Sequence, residues 1–304
     1  MKKLLTYISL FLIPILVVWI LAEVFYRTVP NNYTYKHQQI SNNKDIEVLI
    51  LGDSHTFYGI NPEWLSLKAY NLSNVSQTIY FDQLLLEKHI NNLNSLKYVV
   101  LAVEYTTLSQ ADNTQEDIWR KYFYASQMDL EVPLVTWYNP KKYSLVFSRK
   151  FNYTWNTYKD YKVKGTLIGC DVNGWGNTYS STVDSVEMKR LARVVAKKHE
   201  DGSMNFSLNS ERIQQMIDLC KSKNIEILLV NMPSVPEYVS LLNSEKWKKI
   251  DSVCKQLEAI NTNVTRIDLL NEKQFILEDF QDADHLNAKG AKKCTLTINQ
   301  YLNK

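Results

Sequence analysis

The stretch LILGDSHTFYGI, residues 49–60, governs how the rest of the chain is interpreted. Its apolar, β-branched start predicts a short buried strand that ends at Gly52. The chain then becomes polar at once, with Asp53, Ser54 and His55 in succession. A serine after a buried strand is usually a turn residue, but the same position can present a nucleophile. The remainder of the sequence has to distinguish these two roles.

Strand and helix patterns alternate along most of the chain. A short strand is predicted within residues 69–78, a helix over 80–93 and a buried strand over 97–105. Further on, a helix beginning at a Ser210 cap precedes strands over 225–233 and 264–270, separated by a helix, and a last helix ends the chain. This order predicts an α/β fold, a three-layer sandwich with a mainly parallel sheet. Ligands of such sheets collect at the carboxyl ends of the strands, where Ser54 and His285 both fall.

The N-terminal residues predict a membrane anchor. Residues 4–22 contain no charged side chain, and this stretch is about as long as a helix needs to be to cross the hydrocarbon core. Lys2 and Lys3 precede it. The positive-inside rule then leaves the rest of the chain outside the cytoplasm. A cleaved signal peptide and a buried core helix remain alternatives. We therefore divide the chain into an anchor (1–26), a polar linker (27–45) and one domain (46–304) with an aromatic-rich insertion at about 109–207.

Composition excludes several classes of function. Lys and Arg number 35 against 32 Asp and Glu, and this near balance does not favour binding to nucleic acid. The four cysteines form no CxxC pair and lie near no histidine cluster, so we expect no metal site and no cofactor. We interpret these cysteines as buried free thiols.

A serine needs a base, and the chain offers five histidines. His55 adjoins Ser54, but neighbouring side chains on a tight turn diverge, so it is badly placed as the base. Three others lie in the linker or on predicted helices. His285 remains, in the sequence DADH, with Asp282 three residues before it. That spacing allows a carboxylate to fold back onto the imidazole Nδ1 within one loop.

The GDSH and DADH segments together resemble the first and last blocks of the SGNH (GDSL-like) hydrolase superfamily. The resemblance implies an SGNH or flavodoxin-like fold, with Ser54 as nucleophile, His285 as general base and Asp282 as its orienting partner. Asp284 is a rival carboxylate whose position does not match the family spacing. The family uses the backbone N–H of the nucleophile and of a second-block Gly as an oxyanion hole, which implies Ser54 and Ser76 here.

The third block departs from the family. An Asn side chain normally donates to the oxyanion from this block, whereas Glu104 or its neighbours occupy the equivalent stretch. An ionised carboxylate cannot donate a hydrogen bond and would repel a developing oxyanion. Another donor, a slow enzyme or a pseudoenzyme would each account for the change, and Glu104 could instead point elsewhere.

The anchor and the degenerate middle blocks are similar to exported proteins that O-acylate envelope polymers beside a multi-spanning acyl-carrying membrane partner. This implies a serine-dependent O-acetyl esterase or O-acyltransferase acting on an acylated carbohydrate, held by one span in a bacterial cytoplasmic membrane. The alternative is a non-catalytic assembly or binding subunit with the same fold. Trp175, in the NGWGN turn, is our first candidate for a sugar contact, although the insertion's aromatics could equally form a small core.

Overall fold

A single parallel sheet organises the structure, a computed structural model that describes residues 2–112, 118–180, 182 and 184–303. Its five strands have the order β2-β1-β3-β4-β5, which is the flavodoxin-like order of a doubly wound sheet. Every strand pair is parallel, and β1 is buried throughout. The predicted α/β fold is therefore confirmed. The strands are β1 (Val48–Leu51), β2 (Ala69–Asn71), β3 (Tyr98–Ala102), β4 (Glu226–Asn231) and β5 (Val264–Asp268).

Helices connect and cover the strands. The chain runs from β1 to β2 in one direction across the sheet and from β2 to β5 in the other, so right-handed connections place helices on both faces. Contacts agree with this arrangement, because α4 packs against α9 and α3 packs against α12. The helices are α1 (Lys2–Thr28), α2 (Asn32–Asn42), α3 (Ser54–Gly59), α4 (Ile79–His89), α5 (Arg120–Gln127), α6 (Leu145–Ser148), α7 (Phe151–Lys164), α8 (Ser185–His199), α9 (Ser207–Lys221), α10 (Pro236–Val239), α11 (Ser244–Ile260) and α12 (Ala288–Leu302).

The chain divides into two compact units, and this division cuts through the predicted insertion. Residues 1–37 and 116–169 form the first unit, and residues 38–115 and 170–304 form the α/β unit. Aromatic packing explains the first unit: Phe123 of α5 makes edge contacts with Tyr26 and Trp119, with ring centroids 5.5 and 4.9 Å apart. The inserted aromatics 119–124 therefore pack with the N-terminal helices, whereas residues 170–207 belong to the α/β unit.

The segment 27–45, predicted as an irregular linker, is largely helical. It contains the end of α1 and the whole of α2. Tyr33, Lys36 and Ile40 recur at helical spacing and are buried, so α2 gains a buried face despite its polar composition. Tertiary burial here outweighs the polarity on which the linker prediction depended.

Helix α1 is long and apolar enough to cross a membrane, and its most apolar window is not buried in the structure. A signal sequence near an N-terminus meets the same criteria. The structure thus contains a helix suited to the predicted anchor, and its position in a membrane stays a prediction.

Two smaller predictions differ in outcome. Helix α9 begins at Ser207, three residues before the predicted Ser210 cap. The Ser210 hydroxyl lies inside the helix and donates to the carbonyl of Phe206 at 2.8 Å, so it does not cap it. All four cysteines are buried and free, as predicted: Cys170, Cys220, Cys254 and Cys294.

Candidate active site

The turn after β1 presents Ser54 as the first residue of α3. Gly52 has φ of +126°, and a Cβ there would lie 2.9 Å from the Ala102 side chain, so the close approach to β3 requires glycine. The Asp53 carboxylate caps α3 by accepting from the His55 amide at 2.9 Å. At the other end, the Asn71 side chain donates to the carbonyls of Thr56 and Ile60, at 2.8 and 2.9 Å. Hydrogen bonds at both ends of α3 thus fix the position of Ser54 at the carboxyl edge of the sheet.

Ser54, His285 and Asp282 lie in one hydrogen-bonded line. The Ser54 Oγ is 2.8 Å from the His285 Nε2, and the His285 Nδ1 is 2.9 Å from the Asp282 Oδ1. Asp282 also accepts from the backbone N–H of His285, at 2.9 Å, which closes the loop that precedes α12. This arrangement is the one in which a serine can lose its proton to an oriented imidazole.

A second histidine lies behind the first. The rings of His55 and His285 are stacked, with centroids 5.0 Å apart and planes inclined by 21°. The His55 Nδ1 contacts the Asp53 Oδ1 at 2.9 Å, and its Nε2 lies 3.3 Å from the Asp284 Oδ2. His55 therefore points away from the Ser54 hydroxyl, as the sequence indicates, but sequence analysis did not anticipate its contact with the base.

Asp284 joins the two histidines. It is 2% exposed, and its two oxygens lie 3.3 Å from the His285 Nδ1 and 3.3 Å from the His55 Nε2. Asp282 and Asp284 therefore flank the same nitrogen, but only Asp282 meets hydrogen-bond geometry with it. The candidate triad therefore contacts a buried carboxylate, Asp284, which in turn contacts the imidazole of His55.

These carboxylates and imidazoles shift one another's pKa values. Burial acts to lower the pKa of His285, but the charge of Asp284 and the hydrogen bond to Asp282 outweigh it and raise the pKa to about 10. Burial opposes charging of His55 as well, yet Asp53 and Asp284 hold its pKa well above the ordinary value. Burial would raise the pKa of Asp284, but the two imidazoles keep it well below the usual range. The surrounding carboxylates thus favour the protonated form of His285, and its neutral form, which could accept a proton, becomes more populated as the pH rises.

Replacing Asp284 with asparagine is expected to move the activity profile toward lower pH. Removal of the negative charge lowers the pKa of His285, so its neutral, basic form is populated at lower pH than in the wild type. The measurement is the pH dependence of kcat/KM for a chromogenic acetyl ester between about pH 6 and 11. An ascending limb that moves by less than about 0.5 pH unit, or that moves upward, would contradict this effect.

Two backbone N–H groups are available near the turn for an oxyanion. The amides of Ser54 and Ser76 donate no hydrogen bond to another group in the described part of the chain. The backbone of Ser76 has φ of 55°, the left-handed conformation that favours glycine. This conformation agrees with the family resemblance, in which a glycine stands at that position, and the role of Ser76 stays a prediction.

Glu104 lies in a buried environment rather than on the surface. Its carboxyl group accepts from the Met232 amide at 2.8 Å, and it lines a small cavity together with His55 and His199. Burial raises the pKa of Glu104 to about 8, so it is largely uncharged at neutral pH. His199, predicted to be a surface or satisfied residue, contacts the Tyr238 hydroxyl at 2.7 Å through Nδ1.

An aromatic pair, Tyr58 and Tyr179, lies beside His285. The rings of Tyr58 and Tyr179 stack with centroids 3.7 Å apart, and each meets His285 edge-on at 5.8 and 5.7 Å. Both tyrosines are partly exposed. Tyr179 follows the NGWGN turn, and no local sequence signal places it near residue 285. The pair gives the site a flat apolar wall beside the reacting atoms.

Trp175 contacts the backbone of Tyr58, one member of this aromatic pair. Its indole N–H donates to the Tyr58 carbonyl at 2.7 Å, and the Gly176 amide donates to the Phe57 carbonyl at 2.8 Å. The NGWGN turn is therefore docked on α3. The indole is partly exposed, so a sugar contact at Trp175 stays a prediction beside this packing role.

The substitution Gly174→Ala is expected to destabilise the α/β unit by about 1–3 kcal/mol. Gly174 has φ of +84°, and an added Cβ would lie 2.1 Å from the Asn71 carbonyl oxygen. The free energy of unfolding in urea measures the effect. Gly202→Ala is the matched control, because Gly202 also has positive φ, +66°, but no atom within 4 Å of an added Cβ. Equal losses for both variants would show that the loop does not dock as described.

Within the described ranges, one group of side chains has the spacing of metal ligands. His55, Asp284 and His285 place a ligand atom each within 4.8 Å of one another. Their nitrogens already contact Ser54, Asp53 and the two flanking carboxylates. The ring nitrogens of both histidines are therefore already in contact with other side chains, and a metal ion would have to displace those contacts.

Comparisons with known proteins find similarity at a low level. One protein-family model matches residues 178–304, less than half of the chain. No curated protein matches the sequence. Among solved structures, a Bacteroides fragilis NCTC 9343 protein described as an acylhydrolase is 13% identical, with a TM-score of 0.43 and coverage of 88% of this chain and 93% of the other.

Two further solved structures are similar at the same level. A Bacteroides thetaiotaomicron VPI-5482 GDSL-like lipase is 13% identical, with a TM-score of 0.40, and covers 89% of this chain and 98% of its own. A Streptococcus pneumonia protein described as a platelet activating factor is 14% identical, with a TM-score of 0.41, and covers 96% and 98%. At these identities the chemistry has to be argued from the site itself.

Proposed function

We propose that the α/β unit is a serine-dependent acyl-transfer enzyme of the SGNH type, an O-acetyl esterase or O-acyltransferase. The observation that carries the proposal is the line from the Ser54 Oγ through His285 to Asp282, with contacts of 2.8 and 2.9 Å. Each residue type has its required role in this order: nucleophile, base and orienting carboxylate.

The reaction would proceed through a serine ester. His285 Nε2 in its neutral form accepts the Ser54 hydroxyl proton while Oγ attacks the ester carbonyl carbon. The oxyanion is held by the amides of Ser54 and Ser76. The imidazolium then gives its proton to the leaving alkoxide as the ester C–O bond breaks. In the second half, His285 takes the proton of water or of a sugar hydroxyl as that oxygen attacks the acyl carbon. It returns the proton to the Ser54 Oγ as the acyl–Oγ bond breaks, and the acid or the new ester leaves.

The substrate we propose is an acylated carbohydrate of the bacterial cell envelope. The Tyr58–Tyr179 wall beside His285 supports this choice, because aromatic faces pack well against sugar rings. Helix α1 would hold the protein in the cytoplasmic membrane by a single span, with the α/β unit outside the cytoplasm. One span cannot carry an acyl donor across the membrane, so a transferase would need a multi-spanning partner.

A serine-directed fluorophosphonate probe tests the activated nucleophile. We expect covalent labelling of the full-length protein, located at Ser54 by peptide mass spectrometry, and stronger labelling at pH 9 than at pH 7 because His285 must lose a proton. Acyl transfer is then distinguished from hydrolysis by adding cellulose- and chitin-derived hexasaccharides to a chromogenic acetyl ester and weighing the products.

The competing proposal is a non-catalytic subunit with the same fold. Glu104 in place of the third-block asparagine and Ser76 in place of the second-block glycine support it, because both blocks then depart from the family pattern. A correctly folded protein that the probe does not label between pH 7 and pH 10 would favour this subunit and contradict the enzyme.

A further inference from the structure

Residues 137–158, which we name the aromatic collar, expose an unusual amount of apolar surface. Trp137 is 74% exposed and Phe151 is 65% exposed. Soluble proteins rarely leave such large side chains uncovered together, and contiguous exposed patches mark interaction surfaces. The other large exposed members are Tyr138, Tyr143, Phe147, Tyr153, Trp155 and Tyr158.

The collar is fastened to one end of α1. The Trp19 ring stacks on Phe147 with centroids 5.6 Å apart, and its indole N–H donates to the Ser144 hydroxyl at 3.1 Å. The Glu23 carboxylate accepts from the Leu145 and Val146 amides, both at 3.2 Å, and so caps α6. The collar therefore contacts α1 at Trp19 and Glu23, where the uncharged run of α1 ends and its first acidic residue follows.

Apolar surface continues without a break from α1 to the collar. Phe147 and Phe151 line a groove whose opposite wall is formed by α1 residues from Ser9 to Ala22, including Leu16 and Trp19. About 20 residues of helix cross a bilayer, so residues 19–22 fall at the membrane–water boundary when residues 4–22 span it. Tryptophan and tyrosine are enriched at that boundary.

Basic residues accompany these aromatics. Lys141, Lys142 and Lys150 are exposed within the collar, and the Arg149 guanidinium lies over the Trp119 ring at 4.0 Å. Exposed lysines at the level of lipid headgroups are attracted to anionic phospholipid. The collar thus combines the two chemical features of a surface that lies in a membrane interface.

We propose that the aromatic collar is a membrane-interface surface, embedded in the outer leaflet around the exit of α1, with lipid as its occupant. This proposal rests on the membrane anchor of the proposed function, and it adds that the protein meets the bilayer through the inserted segment as well as through α1. The collar aromatics then contact acyl chains and headgroups rather than sugar. The first unit would then contact the membrane through both α1 and the collar, and not through α1 alone.

Depth-dependent fluorescence quenching tests the collar in the full chain. The four native cysteines are buried, so a cysteine introduced on the surface can be labelled selectively with the polarity-sensitive fluorophore NBD. We would compare Trp137→Cys and Phe151→Cys in liposomes of phosphatidylethanolamine and phosphatidylglycerol that contain doxyl-labelled lipids. Leu12→Cys reports on the anchor, and Val186→Cys in the α/β unit, 77% exposed, is the control matched for exposure.

We expect doxyl lipids to quench NBD at residues 137 and 151 at least about threefold more than at residue 186, with shallow doxyl positions the most effective. Quenching at residue 12 without quenching at 137 and 151 would overturn the collar and leave the anchor standing. Absence of quenching at residue 12 as well would overturn the anchor itself. A collar label that lipids leave unchanged but hexasaccharides perturb would identify a carbohydrate surface instead.

Discussion

The substitution Ser54→Ala is expected to lower kcat for a chromogenic acetyl ester by about four to six orders of magnitude. Without Oγ no acyl-serine forms, and the remaining groups can only assist direct attack by water. The side chain is small and partly exposed, so its loss should leave the fold intact. The measurement is steady-state hydrolysis at pH 9, with circular dichroism to verify folding.

Ser66→Ala provides the matched control for this experiment. Ser66 is an exposed serine of the same unit, and its hydroxyl donates to Asn299 at 2.9 Å and makes no contact with Ser54, His285 or Asp282. We expect hydrolysis within about twofold of the wild type. If Ser54→Ala also retains most of the activity, Ser54 is not the nucleophile and the proposed enzyme fails.

The substitution Asp282→Asn should lower kcat by about four orders of magnitude, because an amide in this position can hold the imidazole in the wrong tautomer. The two carboxylate oxygens of Asp282 lie 2.9 and 3.2 Å from the His285 Nδ1. Asp282 also accepts a hydrogen bond from the His285 backbone N–H, so it orients both the ring and the loop that carries it. The readout is kcat at the pH optimum of each variant, which separates orientation of the ring from its titration.

Asp284→Asn is the natural comparison for Asp282→Asn. Both carboxylates lie near the same nitrogen, but Asp284 is 3.3 Å away without hydrogen-bond geometry and acts mainly through its charge. At its own pH optimum we expect this variant to stay within about tenfold of the wild type. A large loss for Asp284→Asn with a small loss for Asp282→Asn would reverse the two assignments.

Much of the fold could be predicted because its signals are local. A buried strand such as β1 is an unbroken apolar run, and the turn after it must be tight, which Gly52 reveals in the sequence. The contact between Asp282 and His285 could likewise be predicted from their spacing, which lets the carboxylate fold back onto the imidazole within one loop, although DADH gained its interpretation only together with GDSH. The juxtaposition of these segments follows from the rule that ligands collect where parallel strands end.

The rest depended on distances that no local pattern encodes. The contact of Asp284 with His55 joins residues more than two hundred positions apart, and neither has a spacing that indicates it. The contact of Tyr179 with Tyr58 also joins distant parts of the chain, and no local spacing indicates it. Helix α2 is polar in composition, and only burial of Tyr33 and Ile40 against other parts of the chain makes it a helix rather than a linker.

The 231 positions between Ser54 and His285 also bear on how the protein is made. In the proposed mechanism, Ser54 is an ordinary hydroxyl until β5 has joined the sheet and the loop before α12 has brought His285 to it. A chain that crosses a membrane from its N-terminus would therefore acquire its reactive serine last, after the C-terminal helix has emerged and folded. In that mechanism, the serine of a nascent chain would not react with esters in the compartment where the chain is synthesised.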